Sequence, residues 1–409
     1  MTNILGINLS EITALGAQEK IKKLLAEPGQ AHVVTPNPEI ILEALHDEEF
    51  FYILNKAQLS LADGVGLKLA GWLMRHNIAR VTGSDLSVKL LAYAAEAGIK
   101  TAILNWQDGL SSAEEIKMAL DKRFPGLKIL IVNVSREPGL ETGLIKKIND
   151  FAPQLLFSAL GFPYQEKVIY HNLKQLPSVR VALGVGGTFD FLTGRAKRAP
   201  RFVRQLGLEW LWRLLKQPRR YRRIFRATFV FLGRVFKAKF ISRFRYRPNV
   251  ACFLYKKTPV GPQVLLVQRE DEDNHWQLPH GGTDGEGLET AGRRELREET
   301  GATNLRTVAT FKNVYRYKFS GLLSKKAYRQ SRELSPGSHD VKRFKFDYKG
   351  QSQGLYIAEF LGLDSEIKIN FWDHTAWKWV PAGKLVESVH PVRQVAVQKF
   401  LDKFLSLNI

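Results

Sequence analysis

Over the first 190 residues, short apolar runs alternate with stretches of helical periodicity. The runs predict strands at His32–Val34, Gln58–Ala62, Thr101–Leu104, Leu127–Val134, Gln154–Leu160 and Val179–Val185. They are continuous rather than alternating, as expected of strands buried on both faces. Between them the periodicity predicts helices at Pro38–Ala44, Leu86–Ala97 and Ser112–Lys122. Strand–helix–strand repetition of this kind predicts an α/β domain built on a parallel sheet.

After Arg247 the pattern changes. Val250–Tyr255 and Gln263–Gln268 read as strands joined by a Pro/Gly turn. A helix follows at Leu288–Thr300, then strands at Leu355–Leu361 and Thr375–Val380 and a closing helix at Val392–Leu405. This order predicts a separate α+β domain.

Between the two lies a different kind of segment. Phe225, Phe229, Leu232, Phe236 and Phe240 recur at helical spacing, and Arg223, Arg226, Arg234 and Lys237 cluster on another face. The longest uncharged run, Ala227–Gly233, is far too short to span a bilayer. A basic amphipathic helix lying in a membrane interface fits this pattern. A helix packed on protein with a solvated basic face fits it as well.

Charge sharpens that picture. The chain of 409 residues carries a net +21, yet residues 195–247 hold 18 Lys/Arg and one acid, Glu209. The excess basicity therefore belongs to one segment, which seeks a polyanion: phospholipid headgroups, RNA or a diphosphate substrate. Apolar residues at 44% and charged residues at 25% exclude wholesale disorder and a polytopic membrane protein. A single cysteine, Cys252, excludes an intramolecular disulfide framework and a cysteine-rich zinc site. The first residues, MTNILGINLSEITALG, lack the pattern of a signal peptide.

Candidate chemistry comes next. Asp63 ends an apolar run and precedes Gly64, where a parallel sheet usually binds its ligand. A carboxylate there suits a general base, although an Asp-Gly pair is also a common turn. Thr35 and Asn37 follow another strand, at the same ligand edge. Gly184, Gly186 and Gly187 permit close approach of backbone to a diphosphate. No Asp-x-Asp motif argues for a metal-bound donor in this half. In the other half, Glu295, Glu298 and Glu299 stand at i, i+3 and i+4 and share one helix face. Three such carboxylates repel unless a cation sits among them, and hard oxygen ligands suit Mg²⁺ or Mn²⁺. Arg294 is placed to pair with Glu286.

Two resemblances give these residues a context. Gly184–Pro200, Gly207–Arg213 and Pro218–Arg222 closely resemble the WecG/TagA/CpsF glycosyltransferase family. Thr35-Pro-Asn-Pro-Glu39, Ala62-Asp-Gly-Val-Gly66 and Gly161-Phe-Pro-Tyr-Gln-Glu-Lys167 match it too, so the resemblance covers about residues 2–223. It implies a Rossmann-like fold and transfer of N-acetylmannosamine or its uronic acid from a UDP-sugar donor to a polyprenyl-diphosphate-linked acceptor. It implies Asp63 and Thr35 as catalytic residues and Asn37, Gln165, Lys167, Gly186, Gly187, Asp190, Arg198 and Arg213 as substrate-binding ones. It also implies work at an anionic membrane surface, with the protein cytoplasmic and peripheral on the inner face. A homo-oligomer is among the partners it admits. Where the family usually has a Gly-rich turn, this chain has Leu104-Asn-Trp-Gln-Asp-Gly109, and Trp106 alters the pocket wall there.

Gly281–Glu286 followed by Arg294–Gly301 resembles the Nudix box. Tyr246–Val250, Trp276–Pro279, Tyr315–Lys318, Trp377–Val380 and Pro391–Val395 resemble the RNA pyrophosphohydrolase and dinucleoside-polyphosphate hydrolase group. This implies metal ligands Glu295, Glu298, Glu299 and Asp373, with Glu298 and Glu299 catalytic. Gly281, Gly282, Glu286, Arg294 and Gly301 support the box. The implied substrate is a nucleotide or 5′-triphosphate RNA. The expected organisation is a transferase domain at 1–223, a basic linker helix at 224–245 and a Nudix domain at 246–409. The alternative is a chain acting mainly as an RNA or dinucleoside-polyphosphate hydrolase, with the basic segment binding RNA. The stretch 320–350 matches neither resemblance.

Overall fold

The computed structural model describes residues 1–200, 202–203, 211–212, 221–270, 274–318, 348–370 and 372–407. The chain divides into two compact units, Met1–Lys237 and Ala238–Ile409.

The first unit opens with a hairpin of β1 (Thr2–Ile4) and β2 (Ile7–Leu9). Six parallel strands follow: β3 (Ala31–Val34), β4 (Leu59–Ser60), β5 (Thr101–Trp106), β6 (Ile129–Val134), β7 (Leu155–Ser158) and β8 (Val181–Gly184). They lie in the order β4-β3-β8-β7-β5-β6. Alternate residues feed two cores. Leu155, Phe157, Val181 and Leu183 enter one, and Leu156, Ala182, Ala102 and Leu104 enter the other. That division explains why the runs read as continuously apolar. Burying each large side chain contributes ~1.5–3 kcal/mol. All six strands point the same way, so the loops after Val34, Ser60, Trp106, Val134, Ser158 and Gly184 gather along one edge.

Local signals start the helices where expected. Asn37 caps Pro38–Ala44 by accepting the Ile40 N–H, and Pro38 at the first turn has no N–H to lose. Ser112 and Glu115 form a capping box at the head of Ala113–Arg123.

A helical stretch runs from Tyr221 to Phe240, with a π-helical turn at Arg226–Val230. The widened turn shifts the register of a 3.6-residue helix. Phe231, Val235 and Ala238 are buried, while Phe225, Phe229, Phe236 and Phe240 are exposed. The aromatic face read from the sequence is thus the outer one, and a second apolar stripe faces inward. The division between the two units falls within this helix. No helix among the described residues is long and apolar enough to cross a membrane.

The second unit is a mixed sheet. Its strands are β9 (Tyr246–Lys256), β10 (Gln263–Arg269), β11 (Trp276–Gln277), β12 (His280–Gly282), β13 (Leu305–Lys318), β14 (Gly350–Phe360) and β15 (His374–Pro381). The main path is β11-β10-β9-β14-β13, with β12 on β9 and β15 on β10. β9 and β14 are parallel, and the other pairs are antiparallel. Alternate residues of β9 again divide. Ala251, Phe253 and Tyr255 join Phe400 and Phe404 of the helix Pro391–Leu405, whereas Val250, Cys252 and Leu254 join Ala291 and Leu296 of the helix Leu288–Thr300. The sheet is covered on both faces, and the acidic helix is fixed by its apolar side.

Candidate active sites

Asp63 stands just beyond β4, half-buried, at the gathered edge of the parallel sheet. Its backbone N–H donates to Pro36 O at 2.8 Å, tying it to the loop after β3. Its Oδ2 accepts the Gly83 N–H at 3.3 Å. Gly83 begins the helix Gly83–Glu96, so the carboxylate lies at a helix N-terminus, where negative charge is favoured. A Cβ on Gly83 would sit 3.2 Å from the Thr35 hydroxyl, so Thr35 and Asp63 approach the same turn.

That turn collects two further segments. Thr188 donates to Ser84 Oγ at 3.1 Å, and Arg198 Nη1 donates to Asp85 Oδ1 at 2.7 Å. The other two nitrogens of Arg198, Nε and Nη2, are buried and have no hydrogen-bond partner among the described residues. They are donors open to an anionic ligand. Asp190 accepts from Ser111 Oγ at 2.7 Å, and its carbonyl takes the Ala196 N–H at 2.9 Å. These bonds tie Asp190 to the chain leading to Arg198.

Gln165 is buried and doubly engaged. Its Oε1 accepts the Gly186 N–H at 2.9 Å, and its Nε2 donates to Glu166 Oε1 at 2.7 Å. A Cβ on Gly184 would meet Gln165 Nε2 at 2.4 Å, so only glycine lets the two segments close. Gly187 then leads into the short helix Thr188–Leu192. Glu166 is fully buried, and its Oε2 has no partner. Burial raises its pKa to about 7, against the hydrogen bond from Gln165 that favours its charge. Lys167 reaches Asp47 at 2.8 Å and Glu49 at 2.7 Å, and Glu49 also meets His171 at 2.6 Å. Burial disfavours the ammonium charge, but the two carboxylates outweigh it and raise the pKa of Lys167.

In the second unit, Glu295, Glu298 and Glu299 leave one face of Leu288–Thr300. Glu295 and Glu298 offer carboxylate oxygens within 4.8 Å of each other. Arg294 Nη1 joins them, at 2.8 Å to Glu295 and 3.1 Å to Glu298, while Nε meets Glu286 at 3.0 Å and Nη2 donates to Gly282 O at 2.8 Å. Burial opposes its charge, yet Glu295 and Glu286 raise its pKa above the ordinary guanidinium value. A Cβ on Gly281 would meet Glu295 Cδ at 2.0 Å, so the Gly-Gly strand lies directly on that carboxylate. Glu299 Oε2 accepts the His280 N–H at 3.2 Å. Gly301, at φ 69°, ends the helix in the left-handed region that favours glycine. Asp373 lies on a loop held by Asn370, which donates from Nδ2 to Glu298 O at 3.1 Å and from N to Glu299 O at 3.2 Å. The set is all hard oxygen donors on a fixed helix face, and it fits a divalent cation.

The family model described as "Glycosyl transferase WecG/TagA/CpsF family" matches residues 2–245, and the NUDIX domain model matches residues 245–400. The chain belongs to the WecG/TagA/CpsF glycosyltransferase family. An N-acetylglucosaminyldiphosphoundecaprenol N-acetyl-beta-D-mannosaminyltransferase of Bacillus subtilis (strain 168) is 32% identical over 195 residues, 47% of this chain and 75% of that protein. The protein of the same description from Staphylococcus aureus (strain MRSA252) is 30% identical over 240 residues, 58% of this chain and 92% of that one. A crystal structure of a C. elegans Ap4A hydrolase binary complex is 20% identical and covers 39% of this chain and 98% of that chain, with a TM-score of 0.28. A glycosyltransferase family and a NUDIX domain make this chain an enzyme.

In this WecG/TagA/CpsF chain the structure gathers Thr35, Asp63 and Arg198 around the start of Gly83–Glu96. Gln165, Gly186 and Gly184 form a second group. Asn37 caps a helix through Oδ1, and Lys167 joins an ion network with Asp47 and with Glu49 of the helix Glu48–Lys56. Arg213 lies outside the described residues, as does most of the 320–350 stretch. Sequence reading missed Thr82-Gly83-Ser84-Asp85, which meets Asp63, Thr188 and Arg198 in turn. Its signal was a small-polar cluster at a helix start. Asn370 was missed as well, because one asparagine in a loop carries no periodicity.

Proposed function

We propose that the first unit transfers an N-acetylmannosamine-type sugar from a UDP donor to a polyprenyl-diphosphate-linked N-acetylglucosamine. The second unit hydrolyses a phosphoanhydride of a nucleoside di- or polyphosphate. The observation that carries the transferase reading is Asp63, oriented by Gly83 beside Thr35 at the ligand edge of the sheet. Asp63 takes the proton of the acceptor hydroxyl as that oxygen attacks the anomeric carbon. The bond from that carbon to the diphosphate oxygen breaks, and UDP leaves with the electron pair. The open donors of Arg198 and the N-terminus of Gly83–Glu96 meet the charge that develops on it.

In the second unit, Glu295, Glu298 and Glu299 are the residues that would hold Mg²⁺ or Mn²⁺, and Asp373 is proposed as a further ligand. A divalent ion supplies Lewis-acid activation of a phosphoryl oxygen and of water. Arg294 and Gly281 fix Glu295, and Asn370 fixes the adjoining loop.

The basic segment supports action at a membrane. Phe225, Phe229, Phe236 and Phe240 face outward near Arg226, Arg234 and Lys237. This suits a protein peripheral on the anionic inner face of the cytoplasmic membrane, where a polyprenyl-linked acceptor resides. Arg223 has another task, a double hydrogen bond to Glu39 at 2.7 Å beside the Thr35–Glu39 loop.

The test is a donor screen. Purified full-length protein is given UDP-N-acetylmannosamine, its uronic acid and UDP-N-acetylglucosamine with a polyprenyl-diphosphate-N-acetylglucosamine analogue. Transfer from a mannosamine-type donor, lost in Asp63→Asn, is the expected result. Failure of every UDP-sugar overturns the reading.

A further inference from the structure

One aromatic cluster at the ligand edge has no part in the chemistry above. Arg136 lies two residues beyond β6, Trp106 ends β5, and Tyr164 begins the helix Tyr164–Asn172 after β7. The Arg136 guanidinium carbon sits 3.5 Å from the centroid of the Trp106 ring and 5.1 Å from that of Tyr164. Its Nε donates to Leu160 O at 2.8 Å. A Cβ on Gly161 would come within 3.4 Å of Nη2, so the chain turns closely around the fork. Among the described residues no carboxylate pairs with Arg136, and its two terminal nitrogens have no hydrogen-bond acceptor. Stacking and the Nε bond fix the guanidinium plane and leave its outer edge as a rigid set of donors. The Tyr164 side is 40% exposed, so an aromatic face remains accessible there.

Position in the sheet decides what this edge meets. Asp63 follows β4, Thr35 follows β3, the Gly184–Gly187 turn follows β8, and the stack lies beyond β5 and β6. From β3 to β5 or β6 is three to four strand spacings, about 14–19 Å at roughly 4.8 Å each. A nucleotide-sugar with its anomeric carbon near Asp63 and its diphosphate near the Gly turn would bring its base to the stack.

We propose that Trp106, Arg136 and Tyr164 form the subsite for the donor's pyrimidine base. The inference rests on the transferase reading. Arg136 donates to uracil O4 while the base lies against the Tyr164 ring. A donor-only fork accepts uracil O4 and rejects the N4 amino group of cytosine, so the residue selects UDP over CDP.

The test is calorimetric titration of the full chain with UDP and with CDP, in EDTA so that metal-dependent hydrolysis does not consume the ligand. Wild-type protein should prefer UDP by roughly tenfold or more. Arg136→Gln, and equally Arg136→Lys, which keeps the charge but loses the planar fork, should weaken UDP by about 10- to 100-fold and CDP little. Tyr164→Ala should weaken both nucleotides alike. Thermal unfolding verifies that each variant is folded. Equal loss of UDP and CDP on changing Arg136 would mean that it holds phosphate, and overturns the proposal. Unchanged UDP affinity in both Arg136 variants overturns it too while leaving the transferase reading intact. Absence of UDP binding by wild-type protein overturns both.

Discussion

Gly186 gives its backbone N–H to Gln165 Oε1, and the same amide is wedged against Gly184, two residues earlier. One buried side chain thereby holds both ends of the glycine turn that follows β8. A methyl group at 184 has no room while Gln165 keeps its place. Gly184→Ala should cost about 1–3 kcal/mol of stability, the usual range for overpacking, and should lower transfer by displacing the turn. In a Gln165→Ala background the clash disappears, so the second substitution should cost much less. Denaturant unfolding of the two single variants and the double variant gives the coupling. Additive losses would show that the two residues do not press on each other.

Glu166 adds a pH dependence to this turn. Its folded pKa of about 7 lies above the ordinary value of 4.5, because burial penalises its charge. Between those values the folded protein keeps a proton that the unfolded chain has released. Stability from this group is therefore lost as pH rises through that window, and the loss is complete above about 7. A separation of this size corresponds to something on the order of 3 kcal/mol. Glu166→Gln keeps an acceptor for Gln165 but cannot ionise. It should match wild type at pH 4.5 and be the more stable of the two at pH 8, read as unfolding temperatures by calorimetry.

For Asp63 the expected loss is catalytic. Asp63→Asn preserves an acceptor for the Gly83 N–H and removes the base. Turnover should fall by roughly 10²–10⁴-fold, the range for general-base removal, with folding unchanged. Transfer at near wild-type rate would take Asp63 out of the mechanism.

The helix at 221–240 separates an exposed basic and aromatic face from internal packing. Arg226, Arg234 and Lys237 are exposed, whereas Arg223 is committed to Glu39. Replacing the first three with Gln should weaken binding to anionic vesicles by about a hundredfold at low salt, at roughly 1 kcal/mol per basic residue. Replacing Phe225 and Phe229 with Ser should weaken it further without reducing stability, since both rings are more than half exposed. Phe231→Ser should instead destabilise the fold, because that ring is fully buried. Vesicle binding that ignores all of these changes would assign the basic face to solvent.

The extent to which the sequence foretold this follows physical lines. Strands β3 to β8 were visible because each is apolar on both faces. The helix Leu288–Thr300 was visible because its polar face is also its functional face. β13 was not, since its residues are mostly half-exposed and its pairing slips between Thr307 and Ala309 and again between Phe311 and Tyr315. The helix at 221–240 was legible from its periodicity, whereas the π turn inside it was not. Asp63 and Thr35 were legible as candidates from their place after strands, and the structure brings both to the Gly83 turn. The stacking of Arg136 was not legible, because its rings come from the end of β5 and from the start of the helix Tyr164–Asn172. Gln165 and Lys167 were legible as polar residues, but only the structure distinguishes a buried clamp from an ion network.

The last prediction concerns Glu298 and Glu295, which share Arg294. Glu298 is the more exposed of the two, and Glu295 is buried under Gly281. Glu298→Gln removes a charge from the metal-binding face while leaving a polar group for Arg294, so it should abolish most phosphoanhydride hydrolysis without unfolding the unit. Glu299→Gln should do the same, since its Oε1 can still accept from His280 N–H. Gly281→Ala should be worse for structure, because its methyl group would occupy the position of the Glu295 carboxylate. Asp373→Asn should cause a smaller loss, as Asn370 ties that loop to the end of the acidic helix. Sugar transfer should persist in the Glu298 and Glu299 variants, whose substitutions lie in the other unit. The measurement is release of phosphate, pyrophosphate or nucleotide from 5′-triphosphate RNA, diadenosine polyphosphates and UDP-sugars, in Mg²⁺, in Mn²⁺ and in EDTA. Hydrolysis that continues in EDTA, or that survives both carboxylate substitutions, would remove the acidic helix from the reaction.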